Sequence, residues 1–118
     1  MNQLAPFRLP EAPGRADLVA KYFRALGDTS RLRILGLLLE EGELAVGALV
    51  SRTGLTQPNV SNHLACLRWC GFVEARREHR VVRYRIADPR VEQLVELGYA
   101  LLADNAEHVA ACCRIEER

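Results

Sequence analysis

The spacing of apolar residues changes at Gly71, and this change limits the folds that the chain can adopt. Before Gly71, apolar residues recur every three or four positions, as on one side of a helix, at Val60, Leu64 and Leu67. After Gly71, two segments rich in β-forming residues alternate in polarity on either side of Glu78-His79-Arg80: Phe72–Arg77 and Val81–Ile86. The sequence therefore predicts a helix from Gln57 to Cys70, followed by a β-hairpin.

Further helices are predicted on both sides of this unit. The helix that begins at Gln57 has Thr56 as its predicted cap, and a turn with Gly54 joins it to a short helix over residues 46–52. Earlier in the chain, the spacing predicts a helix over residues 17–26, closed by Gly27, and a second one capped by Asp28 or Thr29. Residues 43–45 are expected to form a short strand.

The end of the chain is expected to be helical as well. Residues 91–102 predict a long last helix, and a shorter one is expected after Asp104-Asn105. The order α-α-(β)-α-α-β-β-α is that of a mainly α winged helix-turn-helix with a small β-hairpin. We divide the chain into three parts: a flexible N-terminal arm (1–15), a winged-helix domain (16–103) and a C-terminal tail (104–118).

Composition narrows the class of protein. A chain of 118 residues is long enough for one domain with a single core. Its apolar runs are too short for a membrane span, and prolines stand where a signal peptide would be apolar, so we expect a cytoplasmic protein without a membrane partner. The sequence lacks a C-x-x-C motif and a nucleophile with a matching base, which weighs against an enzyme.

Charge is distributed unevenly along the chain, although the formal net charge is only +1. Residues 68–85 contain six arginines and two glutamates, whereas residues 88–118 contain three arginines and seven acidic residues. A basic segment next to an acidic one indicates a polyanionic partner for one face of the protein.

The exposed side of helix 57–70 is predicted to contact DNA bases. Gln and Asn side chains can bond adenine edges, and Ser can bond either edge, whereas a solvated polar face is the alternative interpretation. The candidates on this helix are Gln57, Asn59, Ser61, Asn62, His63 and Arg68. In the hairpin, Arg77 and Arg80 are the first candidates for phosphate contacts, while Arg31 and Arg33 are weaker ones that salt bridges would explain equally well.

Three segments resemble the ArsR/SmtB family of bacterial metal-sensing repressors: RALGDTSRLRILGLL, LTQPNVSNHLACLRWCGFV and RREHRVVRYRIAD. The resemblance covers roughly residues 16–103. It implies a homodimer that binds an imperfect palindrome in double-stranded operator DNA, with the first and last long helices at the dimer interface. It also implies that the repressor releases DNA when a metal binds.

The cysteines are the candidate metal ligands. Cys66 and Cys70 are four residues apart and share one side of the helix, so two thiolates can converge on one ion. In this pattern the chain is similar to a cadmium- and lead-sensing member of the family, which implies a further ligand from the tail, Cys112 or Cys113. Two other metal sites of the family lack their ligands here, at residues 43–49 and in the last helix.

An all-sulfur site favours soft ions: Cd(II) or Pb(II) first, with Zn(II), As(III) and Hg(II) as further candidates. His63 and His108 are weaker candidate ligands. Three alternatives stay open at this point. Cys66 and Cys70 are small buried hydrophobes, the thiols form a redox switch in which the adjacent Cys112 and Cys113 are oxidised, or the protein is a constitutive architectural DNA-binding protein without a ligand.

Overall fold

The computed structural model describes residues 14–115. Within these residues, five helices and three strands follow one another in the predicted order. Their bounds are α1 Gly14–Leu26, α2 Thr29–Glu41, β1 Glu43–Ala45, α3 Val46–Thr53, α4 Gln57–Trp69, β2 Val73–Glu78, β3 Val81–Ile86 and α5 Pro89–Ala111. The fold class predicted from the sequence, a winged helix-turn-helix, is confirmed.

Local sequence explains where α2 and α4 begin and where α4 ends. The Asp28 side chain accepts a hydrogen bond from the Arg31 backbone N–H at 3.1 Å, and the Thr56 hydroxyl accepts one from the Asn59 N–H at 3.3 Å. Each bond satisfies a backbone donor that the first helical turn leaves without a partner. Gly71 has φ 83°, a left-handed conformation that favours glycine and turns the chain from α4 into β2.

The predicted short strand joins the hairpin to form a three-stranded antiparallel sheet. Strand β3 lies in the middle, with β1 on one side and β2 on the other. Glu43 pairs with Arg85 between β1 and β3, and Arg76 pairs with Arg83 between β2 and β3. We call residues 73–86 the wing.

One core holds the helices and the sheet together. Its buried residues come from α2, α3, α4, α5 and the segment from Phe72 into the wing: Ile34, Leu35, Leu38, Leu49, Val60, Leu64, Leu67, Phe72, Val73, Val91 and Val95. Helix α4 contributes three of them, and this fixes which of its sides faces outward. The predicted apolar side of α4 is therefore confirmed.

The predicted short helix after Asp104-Asn105 is wrong. Helix α5 continues through these residues to Ala111, a length of 23 residues. The Asn105 side-chain amide donates to the Leu101 carbonyl at 2.9 Å instead of capping a new helix, and the alanines that follow favour continuation. At the other end, the predicted arm lies mostly outside the described residues, and Gly14 and Arg15 already belong to α1.

Helices α1 and α5 leave a large apolar surface uncovered in the single chain. Large side chains exposed on it include Phe23, Leu97, Tyr99, Leu101 and Leu102. An apolar groove of about 320 Å³ runs between the two helices, lined by Phe23, Leu26, Val95, Tyr99 and Leu102 among others. Within residues 14–115, no helix is long and apolar enough to cross a membrane.

Candidate functional site

Helix α4 presents a continuous polar surface on the side opposite the core. Its core residues are at most 1% exposed. Five of the six predicted base-contacting residues of this helix are solvent-exposed: Gln57, Asn59, Ser61, Asn62 and Arg68. Because α4 is the second helix of the helix-turn-helix, its N-terminal half is the part that normally enters the major groove.

The sixth residue, His63, lies differently. It is half-buried, and its Nδ1 accepts a hydrogen bond from Arg31 Nε at 3.3 Å. The same guanidinium donates through Nη1 to the Ala25 carbonyl at 2.8 Å. The Nδ1 edge of the His63 ring is therefore engaged inside the protein.

Ion pairs divide the arginines of the wing into two groups. Arg76 forms two hydrogen bonds with Glu43, at 3.0 and 2.7 Å, and Arg85 Nε lies 2.6 Å from Glu74 Oε2. The Glu43 carboxyl has its pKa lowered, first of all by the hydrogen bond from Arg76. Arg83 Nε also lies 3.5 Å from a carboxylate oxygen, that of Glu78. These three guanidinium groups are thus already partnered by carboxylates of the same chain.

Arg77 and Arg80 form the other group. Both are exposed, and neither has an ion pair with any residue in the described part of the chain. Arg77 follows Arg76 directly on β2, so the pleat of the strand turns the two side chains to opposite faces. Arg80 lies in the turn beside His79, which adopts φ 58°. That these two arginines contact phosphates first stays a prediction, and within residues 14–115 no ion pair competes with DNA for them.

Cys66 and Cys70 lie close together on the side of α4 that faces α1 and α2. Both are half-buried and free. Burial, the neighbouring Cys66 thiol and a hydrogen bond to that thiol raise the pKa of Cys70, while the positive charges of Arg31 and Lys21 lower it. Two soft donors thus lie side by side near two cations, an arrangement that can hold a thiophilic ion and disperse the charge of its thiolates.

The tail cysteines lie apart from this pair. Cys112 is half-buried at the end of α5, and Cys113 is exposed. Among residues 14–115 of one chain, no three His, Cys, Asp or Glu side chains form a group that could hold a metal. The four predicted ligands are therefore found as one assembled pair and two separate thiols.

Sequence reasoning missed the role of Arg31 and Arg33. Both were weaker candidates for DNA contacts, with salt bridges as the other explanation. Arg33 forms no salt bridge within residues 14–115. Its Nη2 instead donates to the Thr53 carbonyl at 3.0 Å. Because these partners are backbone carbonyls and an imidazole on other helices, the spacing of charges along the sequence carried no signal for them.

A helix-turn-helix followed by a basic wing defines a winged-helix DNA-binding protein. Residues 28–75 match the family model described as "Bacterial regulatory protein, arsR family". The chain is 46% identical over 99 residues to a probable mercury resistance operon repressor of Streptomyces lividans, covering 84% of this chain and 78% of that protein. It is 48% identical over 90 residues to the regulator CmtR of Mycobacterium bovis, covering 75% of each.

A solved structure gives the same result. The homodimeric winged helix-turn-helix DNA-binding domain of a Mycobacterium bovis protein is 36% identical, with a TM-score of 0.72, and the match covers 86% of this chain and 95% of that one. The chain belongs to the ArsR family, and it is a DNA-binding transcriptional regulator rather than an enzyme. The family resemblance seen in the sequence is confirmed.

Proposed function

We propose that the protein is a homodimeric repressor that binds an imperfect palindrome in operator DNA and releases it when a thiophilic metal ion binds Cys66, Cys70 and a tail cysteine. One observation carries the proposal. The two thiols lie together on the inner side of α4, while the side chains suited to base contacts occupy its outer side. A single helix thus carries both the sensor and the DNA-contacting surface.

The apolar surface of α1 and α5 supports the dimer. Contiguous exposed apolar residues of this size mark an interaction surface in soluble proteins. The related domain from Mycobacterium bovis is homodimeric. A two-fold dimer would place two α4 helices in successive major grooves, which matches an operator with two half-sites about one helical turn apart.

The donor set supports a soft metal ion. Two thiolates at positions i and i+4 of a helix can share one ion, and three sulfur ligands favour Cd(II), Pb(II) or Hg(II) over hard cations. We place Cd(II) and Pb(II) first, and the mercury repressor of Streptomyces lividans makes Hg(II) the principal competitor. Cys66 and Cys70 would hold the ion, and Cys112 or Cys113 would complete the set from the same or the partner subunit.

The thiols must lose their protons to act as ligands. The raised pKa of Cys70 keeps this thiol protonated at neutral pH until an ion displaces the proton. The same shift weighs against a redox switch at Cys70, because the thiolate is the form that oxidants attack. Lys21 and Arg31 offset part of the cost of forming two negative charges next to each other.

The test is a titration of the complex with operator DNA, followed by fluorescence anisotropy, with and without Cd(II), Pb(II) or Hg(II). Coupling of about 1–3 kcal/mol would weaken operator binding roughly 5- to 150-fold. Cys66→Ser and Cys70→Ser should each abolish this response. An unchanged operator affinity in the presence of every ion would refute the proposal.

The tail ligand needs a matched pair of variants. Cys112→Ser and Cys113→Ser change the same atom at adjacent positions, so only the variant that removes a ligand should reduce the ultraviolet sulfur-to-metal absorption. Loss of the response in both would mean that each subunit uses both thiols. If a variant with both substitutions, Cys112→Ser and Cys113→Ser, keeps the full sulfur-to-metal absorption, the tail supplies no ligand.

A further inference from the structure

The guanidinium group of Arg31 connects three helices at one point. Arg31 lies in the first turn of α2. Nη1 donates to the Ala25 carbonyl in the last turn of α1 at 2.8 Å, and Nε donates to Nδ1 of His63 in the middle of α4 at 3.3 Å. Of the side-chain hydrogen bonds found in residues 14–115, this is the one that ties α4 to α2.

The acceptor on α4 lies on the same side of that helix as the two thiols. His63, Cys66 and Cys70 are spaced by three and four residues, so they fall within a narrow sector of the helix. All three are half-buried, whereas Gln57, Ser61 and their neighbours on the other side are exposed. Arg31 also lies close enough to Cys70 for its charge to favour the thiolate.

We propose that Arg31 is the positioning residue through which the thiol pair controls α4: in the free protein it holds the helix by its bond to His63, and it leaves His63 for the thiolates when an ion is bound. This inference rests on the proposed function, and it concerns how the signal reaches the DNA-contacting surface. Arg31 itself contacts neither DNA nor the ion.

The exchange of partners follows from charge. In the free protein, the acceptor of Arg31 Nε is Nδ1 of the His63 ring, at a distance near the long end of the range for such bonds. Cys66 and Cys70 would hold a divalent ion as thiolates, their protons passing to solvent; with a third thiolate, the three negative charges would exceed the two positive ones and leave the group with a net charge of about −1. A hydrogen bond from guanidinium to an anion is about twice as strong as one to a neutral acceptor.

The bond between Arg31 and Ala25 determines which helix is released when Arg31 leaves His63. The bond from Arg31 Nη1 to the Ala25 carbonyl ties the guanidinium to the end of α1 independently of its bond to His63. Helix α4 therefore loses a tether, while α1 and α2 keep theirs. Since α1 belongs to the proposed dimer interface, loss of the tether would loosen the position of α4 relative to the dimer axis, which fixes the spacing of the two half-site contacts.

The experiment compares His63→Leu with His63→Asn. Leucine removes the acceptor, whereas the asparagine Oδ1 stands near the position of Nδ1 and can accept the bond from Arg31. Operator affinity is measured without metal and with saturating Cd(II), and Cd(II) affinity is measured by sulfur-to-metal absorption. Far-ultraviolet circular dichroism confirms that each variant is folded.

In His63→Leu, we expect the operator affinity without metal to fall toward the metal-bound value, so that the ratio of the two affinities approaches one. Reciprocity then requires Cd(II) to bind the free protein and its operator complex with equal affinity. Cd(II) should also bind His63→Leu more tightly than the wild type, because no bond to His63 remains to be broken. His63→Asn should keep a ratio close to that of the wild type. Arg31→Lys keeps the charge, but its donors all lie on one nitrogen, whereas Nε and Nη1 of the guanidinium reach His63 and Ala25 separately. This variant should resemble His63→Leu with unchanged Cd(II) stoichiometry.

The outcomes separate the two levels of the proposal. A wild-type ratio of one would refute the proposed function itself. A wild-type ratio between about 5 and 150 that persists in His63→Leu would refute the role of Arg31 alone. If His63→Leu lowers the operator affinity without metal and the operator affinity with Cd(II) by the same factor, then His63 is a DNA contact and the inference is wrong.

Discussion

Neutralising Arg77 should reduce the salt dependence of operator binding more than neutralising Arg76 does. The two residues are adjacent on β2, but Arg76 is held by two hydrogen bonds from its guanidinium to Glu43 and Arg77 has no ion pair in the described part of the chain. A guanidinium that already has a carboxylate partner displaces fewer counterions from DNA than a free one. Arg76→Gln is therefore a matched control for Arg77→Gln, with the same change in charge one position away.

The magnitude follows from the number of phosphate contacts. Each contact contributes about 0.9 to the slope of log affinity against log salt concentration, and a two-fold dimer loses two contacts per substitution, so the slope should fall by about 1.8. Between about 50 and 200 mM salt, the wild type should then lose about twelvefold more affinity than Arg77→Gln does. Arg76→Gln should lie close to the wild type.

The assay is fluorescence anisotropy on a labelled operator at four or more salt concentrations. Arg80→Gln, in the turn of the wing, should behave like Arg77→Gln. If Arg76→Gln and Arg77→Gln reduce the slope equally, internal pairing does not decide which arginines meet the DNA. The reasoning from the ion pairs would then be wrong.

Three further predictions concern stability and titration. Leu64 lies in the core at 1% exposure, so Leu64→Ala should lower the free energy of unfolding, measured in urea, by about 2–5 kcal/mol. A loss below about 1 kcal/mol would show that the site is not well packed. Trp69→Ala, at 93% exposure, should change that free energy by less than about 0.5 kcal/mol, and a larger loss would place this ring in the dimer interface. Alkylation of Cys70, followed by peptide mass spectrometry, should have its midpoint above the ordinary thiol pKa of 9.0, because burial is the largest cause of the shift. Since the folded-state pKa is the higher one, the contribution of Cys70 to stability should be full below pH 9.0 and decline as pH rises through the folded-state value; a midpoint at or below 9.0 would contradict the burial of this thiol.

The sequence alone determined the order of helices and strands and the side of α4 that faces the core. Apolar spacing is a local property, and caps such as Thr56 and Gly71 act within a few residues of their helix, so both could be identified without tertiary information. The spacing of Cys66 and Cys70 likewise placed the two thiols on one side of one helix, and the structure shows them close together. The break expected at Asp104-Asn105 failed because a polar pair in a strongly helical context is compatible with continuation.

The tertiary structure decided which charged and polar groups are available. Arg76 meets Glu43 across 33 positions of sequence, and Arg31 meets His63 across 32. The contact between Arg76 and Glu43 depends on the packing of β1 beside β3, and the contact between Arg31 and His63 depends on the packing of α2 against α4. Both packings bring together segments that are far apart in the chain. Periodicity along the sequence predicted a DNA-contacting side and a thiol-bearing side of α4, and only the fold showed that Arg31 ties the half-buried side of this helix to α1 and α2.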